Sequence, residues 1–153
     1  MRLLYLITRA EPGGAQVHLL ELLRGFRDRA ELHLGVGEDQ DGFLVEEARA
    51  LGVRVHLLRH LVQPVRPVKD FRGLFEVMAL LRKVRPHLLH AHSSKAGFLG
   101  RLAGRALGVK SVFTAHGWAF TDGVPEGMKR LALSMERLAG RLGDLVLAVS
   151  EYD

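Results

Sequence analysis

The chain is 153 residues long, contains no cysteine and carries a formal net charge of +5. That length makes one domain with room for a real core. The missing cysteines exclude a disulfide framework and a thiolate metal site, which fits a cytosolic protein, and no apolar run approaches the ~20 residues that span a bilayer. The opening MRLLYLITR is short for a signal peptide and lacks a small-residue cleavage site. Asparagine is absent and most basic residues are arginine. The basic balance admits anionic partners such as nucleotide phosphates or acidic lipids. Nucleic acid is not among the expected partners, because the basic residues are scattered and no aromatic platform or recognised motif accompanies them.

Leu3 to Ile7 read as a buried strand, and Pro12, Gly13 and Gly14 then turn the chain. Val17, Leu19, Leu20, Leu22, Leu23 and Phe26 follow at helical spacing. Glu31 to Val36 predict a second strand, closed by Gly35 and Gly37. A helix over Gly42 to Leu51 stops at Gly52, and Val53 to Leu58 predict a third strand. The basic, proline-marked stretch RHLVQPVRPVKD leads into a helix whose face is Phe71, Leu74, Phe75, Met78 and Leu81. Pro86 ends that helix, and His87 to Ala91 predict a fourth strand. Ser93 or Ser94 can cap the next helix, in which Gly97, Gly100 and Gly104 suggest close packing on a sheet. Lys110 to Ala115 predict a fifth strand. Met128, Leu131, Ala132, Met135, Leu138, Ala139 and Leu142 form an apolar helical stripe, and Leu145 to Val149 predict a sixth strand. Strands alternating with helices imply an α/β fold: a Rossmann-like, doubly wound parallel sheet of order 3-2-1-4-5-6, forming a single domain over residues 1–153. The chain stops at VSEYD, directly after a strand, as if it were the first half of something larger.

Three strand ends carry candidate chemistry. In the EPGGAQ turn, Gly13 and Gly14 open a helix, where backbone N–H groups can face a phosphate. A tight turn with no ligand would look the same, and the adjacent glycines do not match a GxGxxG dinucleotide fingerprint. Glu38 could supply that fingerprint's acid, but it is expected beyond Gly37, in a loop. In LLHAHSSKAG, His90 and His92 alternate along a strand and so share one face. Ser93, Ser94 and Lys95 open a helix, able to hold an anion or a sugar hydroxyl or simply to cap it. In FTAHGW, His116 and Gly117 end the neighbouring strand. All three segments meet on one rim of the sheet, where open α/β folds bind ligands. A zinc site of His90, His92 and His116 is a minor alternative, without supporting carboxylates. Arg59, Arg66, Lys69 and Arg72, among apolar residues, could meet an anionic membrane surface or an acidic acceptor, or serve as an ordinary solvated loop.

These segments together, EPGGAQVHLLELLRGF, LLHAHSSKAGFLGRLAGRALGV, VFTAHGW and DLVLAVSEYD, resemble the N-terminal domain of family 4 glycosyltransferases of the GT-B fold. The resemblance runs the length of the chain and is nearest to members that build capsule, exopolysaccharide or other cell-envelope glycans. It implies one half of a two-domain, retaining enzyme that takes a sugar from a nucleotide-sugar donor to a glycan or lipid-linked acceptor. No metal or other cofactor is expected, and the location is cytoplasmic, peripheral at the inner membrane face. The family's glycine turn, which faces the donor diphosphate, maps onto Gly13 and Gly14. The histidine near the donor sugar maps onto His116. His90, His92, Ser93, Ser94 and Lys95 would line the cleft. The C-terminal half, with its nucleotide pocket and paired glutamates, is absent from this sequence, so residues 1–153 alone are expected to be inactive. A nucleotide-sugar 2-epimerase half, or a non-catalytic subunit that pairs with a donor-binding chain, are the alternatives.

Overall fold

The computed structural model describes residues 1–10, 12–38, 42–116 and 125–149. Strands and helices alternate: β1 (Arg2–Arg9), α1 (Gly14–Phe26), β2 (Glu31–Glu38), α2 (Phe43–Ala50), β3 (Arg54–Leu57), α3 (Pro67–Val84), β4 (Leu88–Ala91), α4 (Ser94–Leu107), β5 (Lys110–Ala115), α5 (Glu126–Leu142) and β6 (Leu145–Ala148). The six strands form one sheet of order β3-β2-β1-β4-β5-β6, and every pairing is parallel. This is the expected Rossmann-like, doubly wound order.

β1 is an unbroken apolar run because it lies mid-sheet with helices on both faces. Its side chains divide by parity. Leu3, Tyr5 and Ile7 join Leu19, Leu20 and Leu23 of α1 and Leu44 and Val45 of α2. Leu4 and Leu6 join Leu80 and Leu81 of α3 and Leu99 and Ala103 of α4. The small residues of α4 allow a close approach to the sheet. A Cβ on Gly97 would stand 2.6 Å from the Phe113 ring, and one on Gly100 would stand 3.2 Å from Leu89. α3 ends as expected before Pro86, with Arg85 turning the chain through a left-handed conformation at φ 51°.

Three expectations change. Gly35 and Gly37 do not close β2 but lie inside it, and the strand continues to Glu38, whose backbone pairs with Arg9. Gly37 is needed because the segment after β3 crosses directly over it: a Cβ there would fall 1.7 Å from the Leu61 carbonyl oxygen, while a Cβ on Gly35 would stand 2.9 Å from the Leu6 side chain and 3.1 Å from that of Leu80. In α3 the buried face is Gly73, Val77, Leu80, Leu81 and Val84, whereas Phe71 and Phe75 project into solvent. In α5 only Ala139 is buried. Met128, Leu131 and Leu138 are exposed, as are Leu145, Val146 and Leu147 of β6, because β6 is the outermost described strand and α5 leans on α4 rather than on further sheet. Gly117 and the terminal SEYD lie outside the described residues.

Candidate active site

The carboxyl ends of β1, β4 and β5 are neighbours in the sheet, so their loops share one rim. After β1, Gly13 is the N-cap of α1, with extended backbone (φ −176°, ψ 172°), and no side chain caps the helix or places an acid in its first turn. Among the described residues, the first amide N–H groups of this 13-residue helix therefore have no side-chain cap, at the positive end of the helix dipole. Gln16 folds back over the turn: its Nε2 donates to the Arg9 carbonyl at 3.0 Å, and its Oε1 would lie 2.7 Å from a Cβ on Gly13. A Cβ on Gly14 would meet nothing within 4 Å. A cavity of about 500 Å³ opens here, lined by Gly14, Ala15, Gln16, His18, His116 and Val149. Another cavity, of about 450 Å³, is lined by residues including Pro86 and Val109 at the opposite, amino end of the sheet, away from the rim where such folds place ligands.

Beneath the first cavity the histidines form a layer. His90 and His92 share one strand face, with ring centroids 4.2 Å apart. Tyr5 of β1 packs against both, at 5.5 Å and 6.0 Å. His90 Nε2 shares a 2.7 Å hydrogen bond with Thr114 Oγ1. His92 is completely buried, and its Nδ1 lies 3.1 Å from His116 Nε2. His18, from the second turn of α1, closes the group with its ring 5.8 Å from His92 and 5.1 Å from His116. Burial pushes His90 down to about 4 and His92 down to about 2, with the neighbouring imidazoles adding to both shifts. Burial likewise pushes the Tyr5 hydroxyl up to about 12. His90 and His92 are thus neutral rings, which hydrogen-bond and orient without adding charge.

Ser93 links this layer to α4. Its Oγ accepts the Ala96 N–H at 3.4 Å and a hydrogen bond from Thr8 Oγ1 at 3.2 Å. Its backbone takes φ 155°, ψ 155°, a region occupied almost only by glycine. The turn that delivers His92 to the rim is therefore strained. Ser94 is exposed at the first position of α4. Lys95 points elsewhere: its Nζ binds Asp70 Oδ1 of α3 and the Pro64 carbonyl, and it does not line the cavity.

Of the residues named from sequence, the structure gathers Gly13, Gly14, His92 and His116 around or under one cavity, sets His90 and Ser93 in the layer behind it, and ties Lys95 to the adjacent basic loop. His18 had not been singled out. Its signal was position, four residues beyond a glycine turn on the first exposed helical face. Among the described residues, the group whose ring nitrogens could hold a cation is His18, His92 and His116, with donor atoms within 4.8 Å of one another. His90 is not in it, and its Nε2 is hydrogen-bonded to Thr114 Oγ1.

Comparison with known proteins follows the same lines. The family described as Glycosyltransferase Family 4 matches residues 12–153. An Escherichia coli UDP-Gal:alpha-D-GlcNAc-diphosphoundecaprenol alpha-1,3-galactosyltransferase is 30% identical over 149 residues, which cover 91% of this chain and 38% of that protein. The Escherichia coli O-antigen biosynthesis glycosyltransferase WbnH is 25% identical over 151 residues, 97% of this chain and 41% of that one. Among solved structures, Anabaena Alr3699/HepE in complex with UDP superimposes with a TM-score of 0.74 at 23% identity, over 99% of this chain and 38% of that one. A UDP-GlcNAc 2-epimerase from Methanocaldococcus jannaschii shares the fold at a TM-score of 0.64 and 16% identity, over 99% of this chain and 40% of that one. The chain spans about two-fifths of the length of the curated relatives it matches.

Proposed function

Because the chain belongs to glycosyltransferase family 4, we propose that it forms the acceptor-side half of a retaining GT-B enzyme, which moves a sugar from a nucleotide-sugar donor to a lipid-linked acceptor of the cell envelope. The observation that carries this reading is the cavity itself: uncapped amides of α1, open space at Gly14 and the imidazole of His116 converge on one volume. The amides suit a departing diphosphate, whose charge grows as the glycosidic bond to it breaks. His116 suits a sugar hydroxyl held beside them, orienting the ring for attack. The lipid-linked acceptor and the UDP donor are supported by what the relatives act on and bind. A further donor-binding half in the working enzyme is supported by the relatives' greater length. In this reading residues 1–153 do not catalyse transfer alone, since half a cleft neither excludes water nor completes the geometry.

No resident metal is part of this proposal; the imidazole layer is read as a hydrogen-bonded support for His116. The work is assigned to the cytoplasmic face of a membrane, peripherally, where a lipid-linked acceptor is reached. A 2-epimerase has less support: it needs acid and base carboxylates, and among the described residues none lines the cavity. The test is sugar transfer to a diphosphoprenol-linked acceptor by the intact two-domain enzyme. His116→Ala should lower kcat on the order of a hundredfold or more with an unchanged circular dichroism spectrum. An unchanged rate would remove His116 from the machinery and the reading with it.

A further inference from the structure

We propose that His18, His92 and His116 form a binding site for one transition-metal ion of the zinc type at the floor of the rim cavity, and that an ion seated there inhibits sugar transfer. Each ring offers one nitrogen, and the three donor atoms lie within 4.8 Å of one another. The rings come from three segments of the chain: His18 from α1, His92 from the turn between β4 and α4, and His116 from the end of β5. His92 is completely buried, while His18 and His116 line the cavity. The rings of His92 and His116 are stacked, with centroids 5.4 Å apart.

The spacing suits an ion of this size. Zn–N bonds of ~2.0–2.1 Å in a tetrahedron set the ligand nitrogens ~3.3 Å apart. Either nitrogen of a neutral imidazole can ligate, and among the described residues neither nitrogen of His92 is committed to a backbone or carboxylate partner. Its Nδ1 meets only the His116 ring, at 3.1 Å from Nε2, close to the tetrahedral edge. Its Nε2 is buried without a hydrogen-bond partner, the kind of orphan atom that a bound ion accounts for. His18 has the freedom to close the remaining gap. It is exposed on α1, and among the described residues its ring makes contacts with His92 and His116 but no hydrogen bond.

The donor set selects the metal. Three imidazoles suit zinc, cobalt or nickel. Magnesium and calcium take oxygen ligands, and among the described residues no carboxylate lines the cavity. Three protein ligands leave a fourth position, which would open on the cavity beside the uncapped amides of α1 and be filled by water or an anion. The inhibition rests on the function proposed above: an ion that holds the His116 ring takes it from the sugar hydroxyl and fills space assigned to the donor. Metal binding itself is measured without any transfer, so either reading can fail alone.

The experiment is titration of the metal-free full chain with zinc and, separately, with cobalt. One ion per chain is expected, and cobalt should develop the visible absorption of a four-coordinate ion. His18→Ala, on the exposed face of α1, should weaken binding by at least the ~10–100-fold that losing even an outer partner of a metal ligand costs, with an unchanged circular dichroism spectrum. His56→Ala, in the separate pair that His33 and His56 form at 2.9 Å between β2 and β3, should leave it unchanged. A second measurement needs no variant: in ¹⁵N–¹H imidazole spectra zinc should move the rings of His18, His92 and His116 and leave that of His33 in place. In the intact two-domain enzyme zinc should suppress transfer and a chelator should restore it. Absence of zinc binding, binding indifferent to His18→Ala, binding lost with His56→Ala, or displacement of cobalt by magnesium would each overturn the site. Zinc bound with transfer undiminished would overturn the inhibition.

Discussion

The buried imidazole of His92 meets His116 ring to ring, Nδ1 to Nε2, at 3.1 Å. Its own Nε2 has no hydrogen-bond partner among the described residues. His92 is held neutral by burial, so one ring nitrogen carries the proton and the other a lone pair. A proton on Nε2 would be a buried orphan donor, the rarer and costlier defect. The proton therefore belongs on Nδ1, where it is donated to His116 Nε2, and a neutral His116 then carries its own proton on Nδ1. Two-dimensional ¹⁵N–¹H spectra should show both rings as Nδ1–H tautomers at neutral pH. His92→Asn, whose amide nitrogen can stand where Nδ1 stood, should preserve the His116 tautomer, and His92→Leu should not. A His116 ring protonated on Nε2 in the native chain would refute the assignment.

Ser93 makes opposite predictions for two small substitutions. Its backbone lies in a region that is nearly glycine's alone, at a strain cost of about 1–3 kcal/mol. Ser93→Gly removes the strain and loses only a few tenths of a kcal/mol of capping, so stability should rise by about 1 kcal/mol. Ser93→Ala keeps the strain and forfeits the bonds to Ala96 and Thr8, so stability should fall by about 1 kcal/mol. Urea denaturation of the two variants decides it, and equal shifts in the same direction would show that the turn is not strained.

The strand ends of this rim were legible because parallel α/β order can be read from alternating patterns, and because glycine and histidine are conspicuous at the ends of apolar runs. His18 was not legible, since the helical reading of α1 counted only its apolar residues. Gly35 and Gly37 were misread for a physical reason: the same residue serves a turn and a close approach, and only the Leu61 carbonyl over Gly37 and the Leu6 and Leu80 side chains against Gly35 distinguish them. The α3 face was misread because Phe71 and Phe75 have core spacing but not core location. Periodicity finds an apolar face; it does not say what that face meets.

Acid should weaken the fold earlier than carboxylate protonation would. His90 and His92 are depressed to about 4 and about 2, while their unfolded values stay near the ordinary ~6.5. Below pH ~6.5 the unfolded chain takes up protons that the folded chain refuses, so stability is complete above that value and is lost as pH falls toward 4. Each histidine contributes a slope of up to about 1.4 kcal/mol per pH unit across that window. Denaturation midpoints should hold between pH 7.5 and ~6.5 and then decline toward pH 5, and His92→Asn should flatten the decline. A midpoint unchanged over that interval would mean that the two rings accept protons in the folded state.

Arg101 tests how α5 is held. Its side chain is fully buried, with Nε donating to the Gly97 carbonyl at 2.8 Å, the guanidinium 4.4 Å from the Phe113 ring centroid, and NH2 at 2.8 Å from Glu136 Oε1 of α5. Removing Glu136 leaves a buried cation without its counter-charge, which costs about 3–5 kcal/mol. Replacing both partners by apolar side chains of similar size removes the charge and its desolvation together, and such swaps are often neutral. Glu136→Leu alone should therefore destabilise the chain strongly, while adding Arg101→Met should recover much of the loss. Thermal unfolding of the single and double variants reads the difference. A double variant no more stable than Glu136→Leu would mean that the hydrogen bond to Gly97 and the contact with Phe113, rather than the ion pair, anchor Arg101 between α4 and α5.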